Sequence, residues 1–204
     1  VERQLMMTGI GGQGVQLAAR VVTLAALAEG RHVQLFGSYG GMMRGGDTSA
    51  TVVVGDAPVE SPPTIAATWS AVVMHHDYWA TTRRKLRPGS VVLLNTTVFE
   101  HEVDWSPYAL VEVPATELAG TVGSVMAASL VMTGAYAAAT GLVTLDGLVA
   151  AIGEALPEYR RQHRELNERA VRLGFDRVPT PVADAWPSTT ATATATATAQ
   201  EPAR

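Results

Sequence analysis

Near the start of the chain, Gly9-Ile10-Gly11-Gly12-Gln13-Gly14 sets glycines in the spacing G-x-G-x-x-G between an apolar run and a helical one. No other stretch restricts the backbone as strongly. The first glycine permits a tight strand-to-helix turn, the second lets a backbone approach a phosphate, and the third allows a helix to pack closely on a strand. The helix start then offers unpaired N–H groups to an anion. A nicotinamide-binding unit also needs an acidic residue after the second strand to hold the ribose. Here residues 32–36 lead into Gly37-Ser38-Tyr39, so that fingerprint is incomplete. Taken alone, the loop reads equally as a phosphate site built by Gly9, Gly11, Gly12, Gln13 and Gly14, or as a tight structural turn.

A second Gly-rich run, Ser38-Tyr39-Gly40-Gly41-Met42-Met43-Arg44-Gly45-Gly46-Asp47, follows the next predicted strand. Open α/β sheets bind ligands at the edge where their strands end, and this run is expected there, beside the first loop. An arginine framed by glycines presents its guanidinium fork to a phosphate or carboxylate with little obstruction. Ser38, Tyr39, Gly40, Arg44, Gly45 and Gly46 therefore join the candidate binding set. The alternative is a structural Arg44 paired with Asp47 or Glu60.

Strand and helix signals alternate along the rest of the chain, the pattern of a mostly parallel sheet covered by helices. The expected fold is α/β: a three-layer, Rossmann-like domain with helices on both faces. Strands are predicted over residues 4–8, 32–36, 49–54, 70–74, 90–95 and 111–113, and helices over 15–29, 78–86, 145–156 and 159–173. Pro88-Gly89 is read as a turn. In the first helix Leu17, Ala18, Val21, Val22, Leu24, Ala25 and Leu27 surround most of the cylinder, which predicts burial on more than one side; Gly30 is expected to end it. Residues 118–145 carry no charge and are long enough to raise the question of a membrane span. Ala, Gly, Ser and Thr dominate them and Gly141 interrupts them, so a small-residue core or interface helix is the better expectation. Residues 1–178 read as one domain. Residues 179–204 read as a disordered Pro/Thr/Ala-rich tail, whose small side chains do not recover the entropy of ordering a backbone.

Composition removes several functions. With 15 Lys and Arg against 19 Asp and Glu the net charge is -4, which gives no electrostatic grip on nucleic acid or an anionic membrane. The chain has no cysteine, hence no disulfide, thiol nucleophile, Cys-ligated zinc or iron–sulfur cluster of its own. The polar start lacks the basic and apolar regions of a secretory signal, so a cytoplasmic location is expected. His75-His76-Asp77 invites a metal or acid–base reading. Strand alternation, however, points only one of the two histidines into a given site, and no third ligand stands at a helpful spacing, so polar residues opening a loop are expected. No G-x-S-x-G elbow is present. Residues 159–172 read as a solvated helix face with Glu–Arg pairs, or as a polar rim for a partner. No catalytic residue and no metal are assigned to this chain alone.

Gly9-Ile10-Gly11-Gly12-Gln13-Gly14-Val15 together with Ser38-Tyr39-Gly40 and Arg44-Gly45-Gly46 resembles the gamma subunit, or gamma domain, of the 2-oxoacid:ferredoxin oxidoreductases. Pro88-Gly89-Ser90-Val91-Val92, the Pro114-Ala115-Thr116 segment, Gly134, Asn167 and Gly174 fit the same pattern, so the resemblance spans about residues 4–176. The chain departs from it at Gly41-Met42, at Trp69, and at Ser129, where the family typically carries Asn. The resemblance implies a complex that oxidatively decarboxylates a 2-oxoacid with coenzyme A to an acyl-CoA and passes electrons to ferredoxin. Thiamine diphosphate and iron–sulfur clusters would belong to the alpha, beta and delta partners. This chain would be a non-catalytic gamma component that shapes the coenzyme A side of the site, its Gly loops and Arg44 receiving phosphate groups.

The apolar first helix and the uncharged stretch 118–145 predict extensive contact with partner chains and a hetero-oligomer. Two other readings compete: a free-standing oxidoreductase that binds NAD or FAD, and an assembly subunit whose Gly loops only pack against neighbours. The indolepyruvate oxidoreductase beta subunit is a close relative within the enzyme reading.

Overall fold

A computed structural model describes residues 1–39, 45–62 and 64–186 of the chain. Strand β1 (Glu2–Ile10) lies inside the sheet, with β4 (Thr68–Val73) parallel on one side and β3 (Asp47–Gly55) antiparallel on the other. β3 also pairs antiparallel with β2 (His32–Tyr39), whereas β5 (Leu86–Asn95) and β6 (Ala109–Val113) extend the sheet in parallel beyond β4. The order is β2-β3-β1-β4-β5-β6. This is the expected mostly parallel α/β sheet, with one antiparallel strand inserted between β2 and β1. Because β1 and β2 point the same way, the loops that follow them emerge at one edge.

The helices are α1 (Val15–Ala28), α2 (Trp79–Arg83), α3 (Ala115–Thr121), α4 (Ala128–Thr140), α5 (Leu145–Ala155) and α6 (Arg164–Asp176). α1 packs on β2 and β3 and α4 on β5 and β6; α5 backs α1 and α6 backs α4. The core of this face joins Leu5, Met7, Val52, Val54, Val72 and Leu93 of the sheet to Val21, Val22, Leu130 and Met132 of the helices. The opposite face carries the short α2 and the segment leading into β6, where Trp79, Phe99, Trp105 and Tyr108 cover Ala71, Val73, Val92 and Leu94. A buried bond between Thr8 Oγ1 and Thr82 Oγ1, 3.0 Å, pins α2 over β1.

Every residue of α4 is buried, which accounts for the missing charge over Ala128–Thr140 of the uncharged stretch. The stretch is three pieces: α3, a 3-10 turn at Val125–Ala127, and α4, which Gly141 ends in the left-handed region. Among the described residues no helix is long and apolar enough to cross a membrane. Removing Leu130, Val131 and Met132 from water contributes roughly 2 kcal/mol each. Tyr136 adds a polar anchor, its hydroxyl 2.9 Å from Ser70 Oγ on β4, and burial pushes its pKa up. α6 crosses α4 at Gly134 and Gly174, backbone against backbone. Both apolar segments are thus covered mainly within the chain. Burial alone therefore does not require partners for them, but among the described residues the exposed large apolar side chains are Val1, Leu27 of α1, Leu35, Phe36, Val125 and Met126 of the 118–145 stretch, Tyr159 and Val182.

Other expectations change in detail. The helix predicted over 78–86 ends at Arg83, because Leu86 pairs with Thr68 as the first residue of β5. Pro88-Gly89 lies within β5: the register jumps from Thr68↔Leu86 to Ser70↔Val91, and the extra residues form a bulge with Gly89 at φ +85°. The helix predicted over 159–173 begins as a 3-10 turn, Glu158–His163, before α6. As expected, Gly30 (φ +77°) stops α1, and the N–H of Arg31 returns to Ala26 O at 3.0 Å.

Disorder expected from residue 179 does not begin there. Val182 N–H bonds Ala139 O at 2.9 Å, Ala185 is fully buried, Trp186 Nε1 donates to Leu142 O at 3.0 Å, and Arg31 stacks 3.8 Å from the Trp186 ring. One tryptophan supplies the large side chain that the Thr/Ala repeat lacks. Residues 187–204 lie outside the described part.

Candidate functional site

The two Gly loops meet. β3 pairs Ile10 with Asp47 and Tyr39 with Thr48, which brings the ends of β1 and β2 level. From there Gly11 N–H donates to Gly46 O at 2.8 Å. A Cβ on Gly11 would lie 3.4 Å from Gly45 N and 3.6 Å from Gly46 O, so the second loop rests on the bare backbone of the first. Gly45 is exposed, at φ +74°, and Gly46 is buried. Ser38 and the backbone of Tyr39 lie in β2, not in the loop. Gly40 and Arg44 lie outside the described residues, as do Gly41, Met42 and Met43.

Each glycine of the first loop meets a separate demand. A Cβ on Gly9 would sit 2.9 Å from Met74 Cβ and 3.1 Å from Val15 Cγ2. Gly12 is exposed, at φ +106° with open space around it. Gly14 is left-handed at φ +79° and caps α1, and the place of its missing Cβ is taken by Ser129, whose Oγ is buried with no hydrogen-bond partner among the described residues. Among the described residues no side chain caps the N-terminus of α1, and no acid lies in its first turn. That leaves backbone N–H groups and the positive end of the helix dipole facing the loop mouth, a suitable seat for an anion.

Two glutamines, only one of them foreseen, hold this arrangement. Gln13 Oε1 accepts Ile10 N–H at 2.9 Å and its Nε2 donates to Met74 O at 3.4 Å, spanning the ends of β1 and β4. Gln16, in the first turn of α1, donates through Nε2 to Ser49 O at 2.8 Å and Thr48 Oγ1 at 3.2 Å, fixing the base of the second loop. Asn95 at the end of β5 is fully buried; its Oδ1 accepts Ala115 N–H at 3.0 Å, and its Nδ2 donates to Thr116 Oγ1 at 3.0 Å and Met74 O at 3.4 Å. Gln13, Met74 O and Asn95 make a polar seam along the sheet edge. Partial burial raises the Asp47 carboxyl above its usual pKa at the same mouth. Nothing in the seam is a nucleophile paired with a base; it orders backbone.

His75-His76-Asp77 open a loop after β4, as expected, but not with one histidine turned away. The strand ends at Val73, so strand alternation no longer governs residues 75–77 and both histidines gather about Asp77.

A model of the pyruvate ferredoxin/flavodoxin oxidoreductase family matches residues 4–177, which takes in both loops, the seam and α6. The chain belongs to that family. It is 31% identical to the pyruvate/ketoisovalerate oxidoreductases common subunit gamma of Thermococcus kodakarensis, over 86% of this chain and 96% of that one. It is 32% identical to the 2-oxoglutarate synthase subunit KorC of Methanothermobacter marburgensis, over 77% of this chain and 88% of that one. The crystal structure of a keto/oxoacid ferredoxin oxidoreductase gamma subunit from Geobacter sulfurreducens superposes with a TM-score of 0.74 at 25% identity, covering 87% of this chain and 97% of that one. The resemblance carried by the glycine motifs thus extends through the fold of this family member, which is a chain of gamma-subunit type.

Proposed function

We propose that this chain is the gamma subunit of a cytoplasmic, multi-subunit 2-oxoacid:ferredoxin oxidoreductase. The complex oxidatively decarboxylates a 2-oxoacid in the presence of coenzyme A, giving an acyl-CoA and carbon dioxide and passing electrons to ferredoxin. Catalysis belongs to the complex and not to this chain by itself. Relatives named for pyruvate, ketoisovalerate and 2-oxoglutarate support the reaction class and leave the acid open. With no cysteine here, the clusters reside in partner alpha, beta or delta subunits, together with thiamine diphosphate, which supplies carbanion stabilisation when bound there.

Within that complex the paired Gly loops form the coenzyme A side of the site. The observation that carries this reading is the Gly11–Gly46 junction in front of an α1 N-terminus that no side chain among the described residues caps. Exposed Gly12 lets a phosphate approach the backbone, the helix N–H groups face it, and Arg44, from the second loop, supplies the cation. Gln13 and Gln16 keep the loops in place.

Two measurements test this. Native co-purification of the full chain should bring down thiamine- and cluster-bearing partners with CoA-dependent 2-oxoacid oxidation; a solitary chain that retains NAD or FAD would refute the subunit reading. In the assembled enzyme, Arg44→Ala should raise the apparent KM for coenzyme A with the subunits still together. An unchanged KM with a lower yield of complex would leave the loops an assembly role only.

A further inference from the structure

The loop that follows β4 opens at the same sheet edge and takes no part in the reading above. His75 Nδ1 lies 3.4 Å from Asp77 Oδ2, and His76 Nε2 lies 3.3 Å from Asp77 Oδ1. One donor atom from each of the three residues falls within 4.8 Å of the others. We propose that His75, His76 and Asp77 bind a divalent transition metal ion of the zinc class, with its remaining position open to water or a small anionic ligand.

Three observations support the site. The first is size. Tetrahedral zinc with bonds of about 2.0–2.1 Å to nitrogen and oxygen separates neighbouring donors by roughly 3.4 Å, the spacing already present between each imidazole and the carboxylate.

The second is orientation. His76 Nδ1 lies 2.8 Å from Val98 O, and a carbonyl only accepts, so this nitrogen carries a proton, and Nε2, 3.3 Å from Asp77 Oδ1, is the nitrogen that would give up its proton to bind a metal. An imidazole whose other nitrogen donates to a backbone carbonyl is the usual outer arrangement of a metal-binding histidine. His75 Nδ1 accepts Asp77 N–H in a long bond of 3.2 Å, which places its lone pair on the same side; a metal would replace that weak contact.

The third is restraint. The histidine side chains are only 18% and 19% exposed, and His76 meets the edge of Phe99 and the ring of His101, whereas the Asp77 side chain is 55% exposed and leaves a path for the ion. Two imidazoles and one carboxylate suit zinc, cobalt or nickel better than magnesium or calcium, which prefer all-oxygen shells.

The probe is Co2+, titrated into the untagged, chelator-treated full chain or the complex in which it purifies. The d–d absorption of cobalt reports four-coordinate binding, and Zn2+ should abolish it by displacement. One ion per chain is expected, with affinity falling on the order of tenfold or more in His76→Ala and in Asp77→Asn. The exposed Asp77 can change without disturbing the fold, and His163→Ala, remote in the 3-10 turn before α6, should bind as the parent does. Affinity unchanged in both His76→Ala and Asp77→Asn, or only the weak spectrum of six-coordinate cobalt, would overturn the proposal.

Discussion

Gly134 of α4 and Gly174 of α6 face each other across the helix crossing so closely that a methyl group on either would enter the partner helix's backbone, at Val171 O from Gly134 and at Val131 O from Gly174. The neighbours are carbonyls within helices and cannot turn aside as a side chain would. Gly134→Ala or Gly174→Ala should therefore destabilise at the upper end of overpacking effects, by about 3 kcal/mol or more. In a domain of this size that lowers Tm by about 6 °C or more, readable in a thermal melt.

The first loop separates two kinds of glycine. Gly11 has an ordinary φ, and its added Cβ would make contacts of 3.4 Å or longer; Gly11→Ala should change stability by no more than about 0.5 kcal/mol. Gly14 has φ +79°, and its Cβ would lie 2.6 Å from Ser129 Oγ, so Gly14→Ala should lose about 2 kcal/mol. Denaturant midpoints of the two variants measure the contrast.

Asn95 both caps α3 and donates to Met74 O. Asn95→Ala strands the buried Ala115 N–H and the half-buried Thr116 N–H and leaves Met74 O with Gln13 as its donor, and should cost about 2 kcal/mol. Asn95→Asp keeps the acceptors but places a charge against Met74 O, so it should not restore stability. Hydrogen exchange at Ala115 and Thr116, faster in both variants, would report the loss locally.

Glu2 provides a pH test. Ser61 Oγ–H and then Glu60 N–H donate to its carboxylate and hold its pKa below the usual carboxylate range. A carboxyl with a lowered folded pKa stabilises above its unfolded value and loses that contribution as pH falls through the folded one. Glu2→Gln should thus be less stable than the parent at neutral pH and converge with it as acid protonates the parent's carboxylate in the folded state. The difference should be small because solvent screens the group; paired urea titrations at neutral and acid pH test it.

Much of this fold is legible in the chain. The G-x-G-x-x-G loop, the buried α1 and the uncharged α4 follow from glycine spacing and side-chain size. The insertion of β3 between β2 and β1 does not, because period-two alternation is the same in parallel and antiparallel strands. Pro88-Gly89 was expected as a turn because local composition cannot distinguish a turn from a bulge inside β5. At the site, the meeting of the loops was readable from their places after successive strands. The seam was not: its centre is Met74 O, and a backbone carbonyl has no signature among residue types. His75 and His76 were expected on opposite faces because the alternation rule was carried past Val73, where the strand stops.

The segment ending at Trp186 bears on synthesis. Its Ala185 carbonyl accepts from Arg3 Nε at 2.9 Å, and its indole holds Arg31. Residues of β1 and of the turn after α1 are therefore fastened by residues translated after α6. On a ribosome β1 and α1 can form early, but their final contacts wait until the chain has been translated beyond position 186. A nascent chain stalled just after α6 would present an unsealed seam to chaperones and proteases.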